Sequence, residues 1–540
     1  MNQHIYAEFS NVFFDIDMET AWQDCLSNID TLGFARILSI FGFLDTNSSF
    51  SPDNDIIKNL LLYYSSRESE MIPVYTLKDE HLVTRQGLLI GWKYLLKSHT
   101  ENSIVNKQRI SENFIKLIKM VTIIHESYME YEGEEYIPYL ASNSVLNYYD
   151  SAAHQYVRSY YIFILNSFKS EKLQLYTEQI RNRFNEKYGI HLNEYIYAVA
   201  GMSFWLSKKL NEDWNKSEII FENWSIDPKD LPPQSPKSKE LFNKTLESLS
   251  FSLEEGKQWA DEYIDANFDF KLFEKKPLLK INSDTYIPIE KKLFQNSLFH
   301  SLYVKIKDSH SKNEIANFRT NYGYLFEAYI VEIVQKVPEL SELKYSSIPE
   351  FYYGPTNNLS SDIYLTYEDT VMVIEAKSFR VRYDLDKGFS KKESVKKSTD
   401  KLIFSPLLQA VEAMNLIVSN EVNQQLNDEK VYYYVTVTMD NIPYSNFDGS
   451  EFLNKFKQIN QLKTGGFYSF SVEELELFLE VICSTNAPFG YFLEKYRTTS
   501  EPSMSFKNYI NKFKGKTNGP VSQLMMRAQD DLNEFFMNLE

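Results

Sequence analysis

The residues best suited to chemistry lie in the stretch SDIYLTYEDTVMVIEAKSFR, residues 361–380. Residues 371–377 read as a strand. Side chains alternate faces there, so Val371, Val373, Glu375 and Lys377 share one side and Met372, Ile374 and Ala376 the other. Both sides are apolar as far as Ile374, as in a central strand covered on both faces. A carboxylate and an ammonium then appear at its C-terminal end, where burial is costly unless they are paired or hold a metal. Residues 362–366 read as the preceding strand. An antiparallel hairpin centred between Glu368 and Asp369 sets Thr366 against Val371 and Asp362 against Glu375. Glu-Asp is not a preferred two-residue turn, so the expected connection is a four-residue loop over 367–370, which keeps the same pairing. Opposed Cβ atoms lie about 4.5–5.5 Å apart. The two carboxylates can then share one Mg²⁺, whose oxygen ligands lie at about 2.0–2.1 Å. Lys377, two residues on, reaches a water on that ion. A register slip of one residue would send Asp362 to the other face.

These residues need a framework, and the flanking pattern supplies one. A helix is expected over 317–336, strands near 343–347, 362–366 and 371–377, and a helix to Ser419 with Ser405 as N-cap and Pro406 at its first position. Residues 431–439, VYYYVTVTM, are β-branched and aromatic and read as a buried strand. A short strand follows at 467–470, and Ser471 with Glu474 forms a capping box that opens another helix. That order describes a compact α/β core. Upstream, residues 1–225 read as helical, for example over 112–128, 145–168 and 191–210, where apolar residues recur at three- and four-residue spacing. Four prolines (Pro228, Pro232, Pro233 and Pro236) interrupt the chain. The expected organisation is a helical domain over 1–225, a Pro-rich linker with a bridging helix over 226–265, and an α/β domain over 266–540. Residues 268–281 and 285–289 are expected as strands joined by a turn at Asn282-Ser283-Asp284.

Asp362, twelve intervening residues, then Glu375-Ala376-Lys377 resembles the PD-(D/E)XK motif of the restriction-endonuclease-like nuclease superfamily. Ser361 stands where the motif's name has Pro. The resemblance covers roughly residues 317–480. It implies a restriction-endonuclease-like fold, with a mixed central sheet flanked by helices, and metal-dependent hydrolysis of phosphodiester bonds. It further implies that Asp362, Glu375 and the Ala376 carbonyl hold Mg²⁺, with Mn²⁺ able to substitute, while Lys377 orients or deprotonates the attacking water. Glu327 lies in GYLFEAYIVEIV with Ile330, Val331 and Val334 on its stripe, and members of the superfamily often place a Glu on this helix to complete the metal site. Gln409 resembles the helix Gln or Lys that assists the water in several branches. Stand-alone nucleases of this superfamily with a large helical part resemble bacterial antiphage-defence or restriction-type enzymes. A non-catalytic nucleic-acid-binding or assembly module on the same scaffold is the alternative, and the full Asp362, Glu375 and Lys377 set counts against it.

The chain has 540 residues, 57 Lys and Arg against 74 Asp and Glu, a formal charge of −17. A generic nucleic-acid coat is excluded, so contact with nucleic acid must be local. Residues 377–401 supply a candidate, with nine bases against four acids. Arg380, Arg382, Lys387, Lys391, Lys392, Lys396 and Lys397 are the expected grip on the phosphate backbone, DNA ahead of RNA. The two cysteines support neither a disulfide framework nor a four-cysteine zinc site, which fits a reducing cytoplasm. No apolar run approaches the ~20 residues of a membrane span. Gly515-Lys516-Thr517 lacks the upstream glycine of a phosphate loop, because Ile510 stands there. The helical region carries no readable motif; recognition of substrate or a partner protein, sensing, autoinhibition and dimerisation are its expected uses.

Overall fold

The computed structural model describes residues 7–13, 15–27, 29–44, 57–60, 81–99, 110–128, 150–165, 167–215, 224–266, 269–378, 385–386, 389–390, 396–397, 399–440, 450–499, 505–513, 515 and 518–540. Helices dominate the first part, among them Thr31–Phe43, Arg85–Ser98, Ile110–Tyr128, Glu171–Tyr188 and Leu192–Asn215. Their starts are set locally: the Asp30 carboxylate accepts from Gly33 N–H at 3.2 Å and the Thr84 hydroxyl from Gly87 N–H at 3.0 Å. The expected helix over 145–168 is present as Ala152–Ser159 running into a wider π-type turn, Tyr160–Leu165; residues 145–149 lie outside the described residues.

The expected bridging helix is two helices. Pro236–Leu249 starts on a capping box between Ser235 and Ser238, and Leu253–Tyr263 follows strand β1, Ser250–Ser252. β1 pairs in parallel with β2, Leu278–Lys280, which pairs antiparallel with β3, Tyr286–Pro288. The strand expected over 268–281 is therefore too long. Its first half is the helix Lys271–Lys275, opened by the Asp269 carboxylate accepting from Lys271 N–H at 3.1 Å and anchored by buried Phe273. The turn before β3 is as expected, with Asp284 N–H donating to the Asn282 side chain at 2.9 Å.

The later part is a mixed sheet between helices. β4 is Ser346–Pro349; β5, Tyr352–Tyr353, and β6, Asn358–Leu359, form a small hairpin; β7 is Ile363–Tyr367 and β8 is Thr370–Lys377. A two-residue pair follows, β9, Leu385–Asp386, and β10, Phe389–Ser390; then β11, Val431–Thr438, and β12, Thr464–Ser471. The sheet order is β12-β11-β8-β7-β4. β12, β11 and β8 run parallel, and β7 is antiparallel to both of its neighbours, β8 and β4. Val371 and Val373 of β8 pack with Leu407, Val411 and Met414 of the helix Ser405–Ser419. Met372, Ile374 and Ala376 join the opposite core with Phe326 and Ile330 of the helix Ile315–Gln335. β8 is thus covered on both sides, as its doubly apolar pattern requires. Ser471 caps the helix Val472–Ser484 with the expected reciprocal bonds to Glu474.

Two expectations are corrected. Ser405 is not an N-cap: the residue before it, Phe404, is already helical (φ −70°, ψ −47°), and the π-type turn Asp400–Phe404 runs straight into the helix. Pro406 has no N–H to give to the preceding turn, so the backbone widens there and does not begin anew. The β7–β8 connection is a two-residue turn, because Tyr367 pairs with Thr370. Glu368 takes the positive φ, +49°. Its carbonyl accepts from Lys430 Nζ at 2.7 Å, and the Asp369 carbonyl from Val431 N–H at 2.8 Å. Contacts with the neighbouring strand thus hold a turn that local propensity disfavours. The run Asp400–Ser419 is apolar and long enough to cross a membrane by length and composition, but half of it is buried and it packs on β8 and β11 as a core helix.

Candidate active site

Three carboxylates line up across the ends of adjacent strands. The β7–β8 register, Ile363 opposite Ile374, brings Asp362 level with Glu375. The β4–β7 register, Pro349 opposite Ile363, brings Glu350 level with Asp362. A fourth carboxylate, Glu327, enters from the helix Ile315–Gln335. Gly323, one turn earlier, lets that helix close on the strand end: a Cβ there would stand 3.3 Å from Ser378 Oγ. One carboxylate oxygen from each of Glu327, Glu350 and Asp362 lies within 4.8 Å of the others. Asp362 is buried and accepts from Ala376 N–H at 2.6 Å. Lys377 Nζ donates to Glu375 Oε2 at 3.1 Å.

The electrostatics are those of negative charge gathered out of water. Burial, then the Glu327 carboxylate alongside, holds the Asp362 carboxyl well above the usual range; Lys377 and the Ala376 N–H do not offset this. Burial and the Asp362 charge push Glu375 up to about 7. Glu350 is exposed over much of its surface, yet lost solvation and the charges of Asp362 and Glu375 raise its carboxyl too. Burial works against the Lys377 charge, but Glu375 and Asp362 outweigh it and raise its pKa, so Lys377 stands as an ammonium. A compact set of hard oxygen donors short of positive charge fits a divalent cation. Glu327, Glu350 and Asp362 are, among the described residues, the carboxylates close enough together to hold one, and Glu375 stands level with Asp362 beside them.

Asp362, Glu375, Lys377 and Glu327 are therefore brought together. Gln409 is exposed on the helix Ser405–Ser419, and no hydrogen bond ties it to the cluster among the described residues. Lys396 and Lys397 are exposed in a helical turn, while Arg380, Arg382, Lys387, Lys391 and Lys392 lie outside the described residues. Sequence reasoning missed Glu350. Its signal is an acid directly after a strand, but it acquires meaning only through the β4–β7 register, which no local pattern specifies. Protein-family models, curated proteins and solved structures yield no match to this chain.

Proposed function

We propose that this protein is a divalent-metal-dependent nuclease, DNA ahead of RNA, with a restriction-endonuclease-like core over its later part. The observation that carries the reading is the meeting of Asp362, Glu375 and Lys377 on the β7–β8 hairpin ends with Glu327 from the covering helix. A bound Mg²⁺ or Mn²⁺ would supply Lewis acidity, polarising a phosphoryl oxygen and acidifying water. Asp362 would hold it together with Glu327 and Glu350, whose oxygens lie within 4.8 Å of one another, and Glu375 and the Ala376 carbonyl would complete the set from β8. The Lys377 ammonium orients water and offsets charge developing on the phosphate. As a cation it has no lone pair to take a proton, so orientation is its part rather than general base. The basic segment from Arg380 to Lys401 begins three residues beyond Lys377 and would follow the phosphate backbone. A bacterial defence or restriction role is a matter of architecture alone.

The test is cleavage of plasmid, single-stranded DNA and RNA by wild type and Asp362→Ala in Mg²⁺, Mn²⁺ and EDTA. Cleavage by wild type alone, abolished by EDTA, is expected. EDTA-resistant cleavage, or an active Asp362→Ala, would overturn the reading. Metal binding without cleavage of any substrate would instead indicate a non-catalytic module.

A further inference from the structure

The small hairpin β5–β6 leaves an apolar pair bare beside the acidic cluster. Tyr352 and Leu359 are direct cross-strand partners and are 66% and 52% exposed. The hairpin is rooted between two members of the cluster: β5 begins two residues after Glu350, and β6 ends three residues before Asp362. Its root is tied by Ser360 N–H to the Phe351 carbonyl at 2.9 Å and by Phe351 N–H to Ser360 Oγ at 3.0 Å. Phe351 stacks on Tyr364 with ring centroids 5.8 Å apart. Phe351 and Tyr353 both pack against the core. Exposure alternates along Glu350, Phe351, Tyr352 and Tyr353, so Tyr352 faces the way Glu350 does. Two residues of extended chain separate them by about 6.6–6.8 Å, close to one nucleotide of stretched single strand.

We propose that Tyr352, backed by Leu359, is a stacking platform for the unpaired base next to the phosphate at the acidic cluster. The proposal rests on the nuclease reading and names its substrate form: a single strand, a strand end or a bulge. Scattered exposed apolar residues need no explanation. This pair is different because its two members face each other across a pinned hairpin, on the side of the site. The cluster is rich in carboxylates and repels a polyanion, so affinity on this side has to come from uncharged contact. A base face on a tyrosine ring provides that whatever the base. Bases in a duplex are already stacked and must be extruded to use the platform, which disfavours intact duplex. The fixed root means little order has to be gained on binding.

The test is cleavage of single-stranded oligonucleotides carrying 2-aminopurine at successive positions, in Mg²⁺, by wild type, Tyr352→Ala and Tyr352→Phe. Fluorescence is followed through the first turnover. One position should be quenched with wild type and Tyr352→Phe, and unquenched with Tyr352→Ala. Tyr352→Ala should raise KM roughly 5- to 150-fold, the worth of one base–aromatic stack, and leave kcat near wild type. The side chain is exposed, so folding is not at stake. An active Tyr352→Ala with unchanged KM and quenching overturns the platform and leaves the nuclease reading standing. Absence of cleavage by wild type overturns both. A wild-type dimer in sedimentation that Tyr352→Ala dissolves would assign this face to a second copy, and equally overturns the proposal.

Discussion

Asp362 and Glu375 hold charges that the metal-free fold does not want. Both carboxyls are raised, Glu375 to about 7, by burial and by carboxylates nearby. A carboxyl whose folded pKa exceeds its unfolded one binds more protons when folded, so unfolding becomes easier as pH rises between the two values. For Glu375 that window runs from its ordinary value of 4.5 to about 7. Metal-free protein should therefore lose stability across it, by up to roughly 3–4 kcal/mol from this group. Mg²⁺ should restore more stability at pH 7.5 than at pH 5.5, because it needs the ionised ligands. Asp362→Ala should raise the metal-free Tm near neutral pH and remove the response to Mg²⁺. Thermal unfolding of both proteins at the two pH values, with EDTA and with Mg²⁺, checks this. A metal-free Tm that rises from pH 5.5 to 7.5 while Asp362→Ala stays flat would contradict it.

Among the elements, those written in local pattern were legible and those decided by neighbours were not. β8 could be read because it is apolar on both faces as far as Ile374, β11 because it is β-branched and aromatic throughout, and Ser471–Glu474 because a capping box is complete within four residues. The Asp362–Glu375 pairing was legible because either turn length considered preserves it. The turn itself was not, since Lys430 and Val431 of a distant segment hold Glu368 at positive φ. The start of the Ser405–Ser419 helix misled because Ser-Pro fits an N-cap, and only the preceding Asp400–Phe404 turn shows that the helix had already begun. Glu350 is not legible in sequence because no local pattern specifies the β4–β7 register.

At the scale of the whole molecule, buried charge ties early chain to late chain. Arg158 donates to Glu476 Oε1 at 2.6 Å and Oε2 at 2.7 Å, and to Asp150 Oδ1 at 3.1 Å. Tyr329, on the helix that carries Glu327, donates to Glu476 Oε1 at 2.7 Å, and His154 Nδ1 lies 2.6 Å from Oε2. His300 Nε2 bonds Asp150 at 2.6 Å. Arg158 and Glu476 are fully buried, and removing one partner leaves the other charged and dry. Arg158→Met should cost roughly 3–5 kcal/mol, whereas breaking the exposed Lys244–Glu240 pair should leave stability almost unchanged. Calorimetry of Arg158→Met and Lys244→Met compares them directly, and equal Tm values would show that the network contributes nothing net. This network helps fix the helix bearing Glu327, which links the helical region's integrity to the geometry of the site.

Metal-dependent cleavage assisted by Lys377 is tested most directly by the single-turnover cleavage rate against Mn²⁺ concentration for wild type and Lys377→Ala. Lys377 donates no metal ligand, so half-saturation should be alike in the two proteins. The plateau for Lys377→Ala should fall by roughly 10²–10³, the scale of losing a preorganised donor aimed at developing charge. Equal plateaus, or a wild-type rate that never rises above its EDTA baseline, would contradict the account.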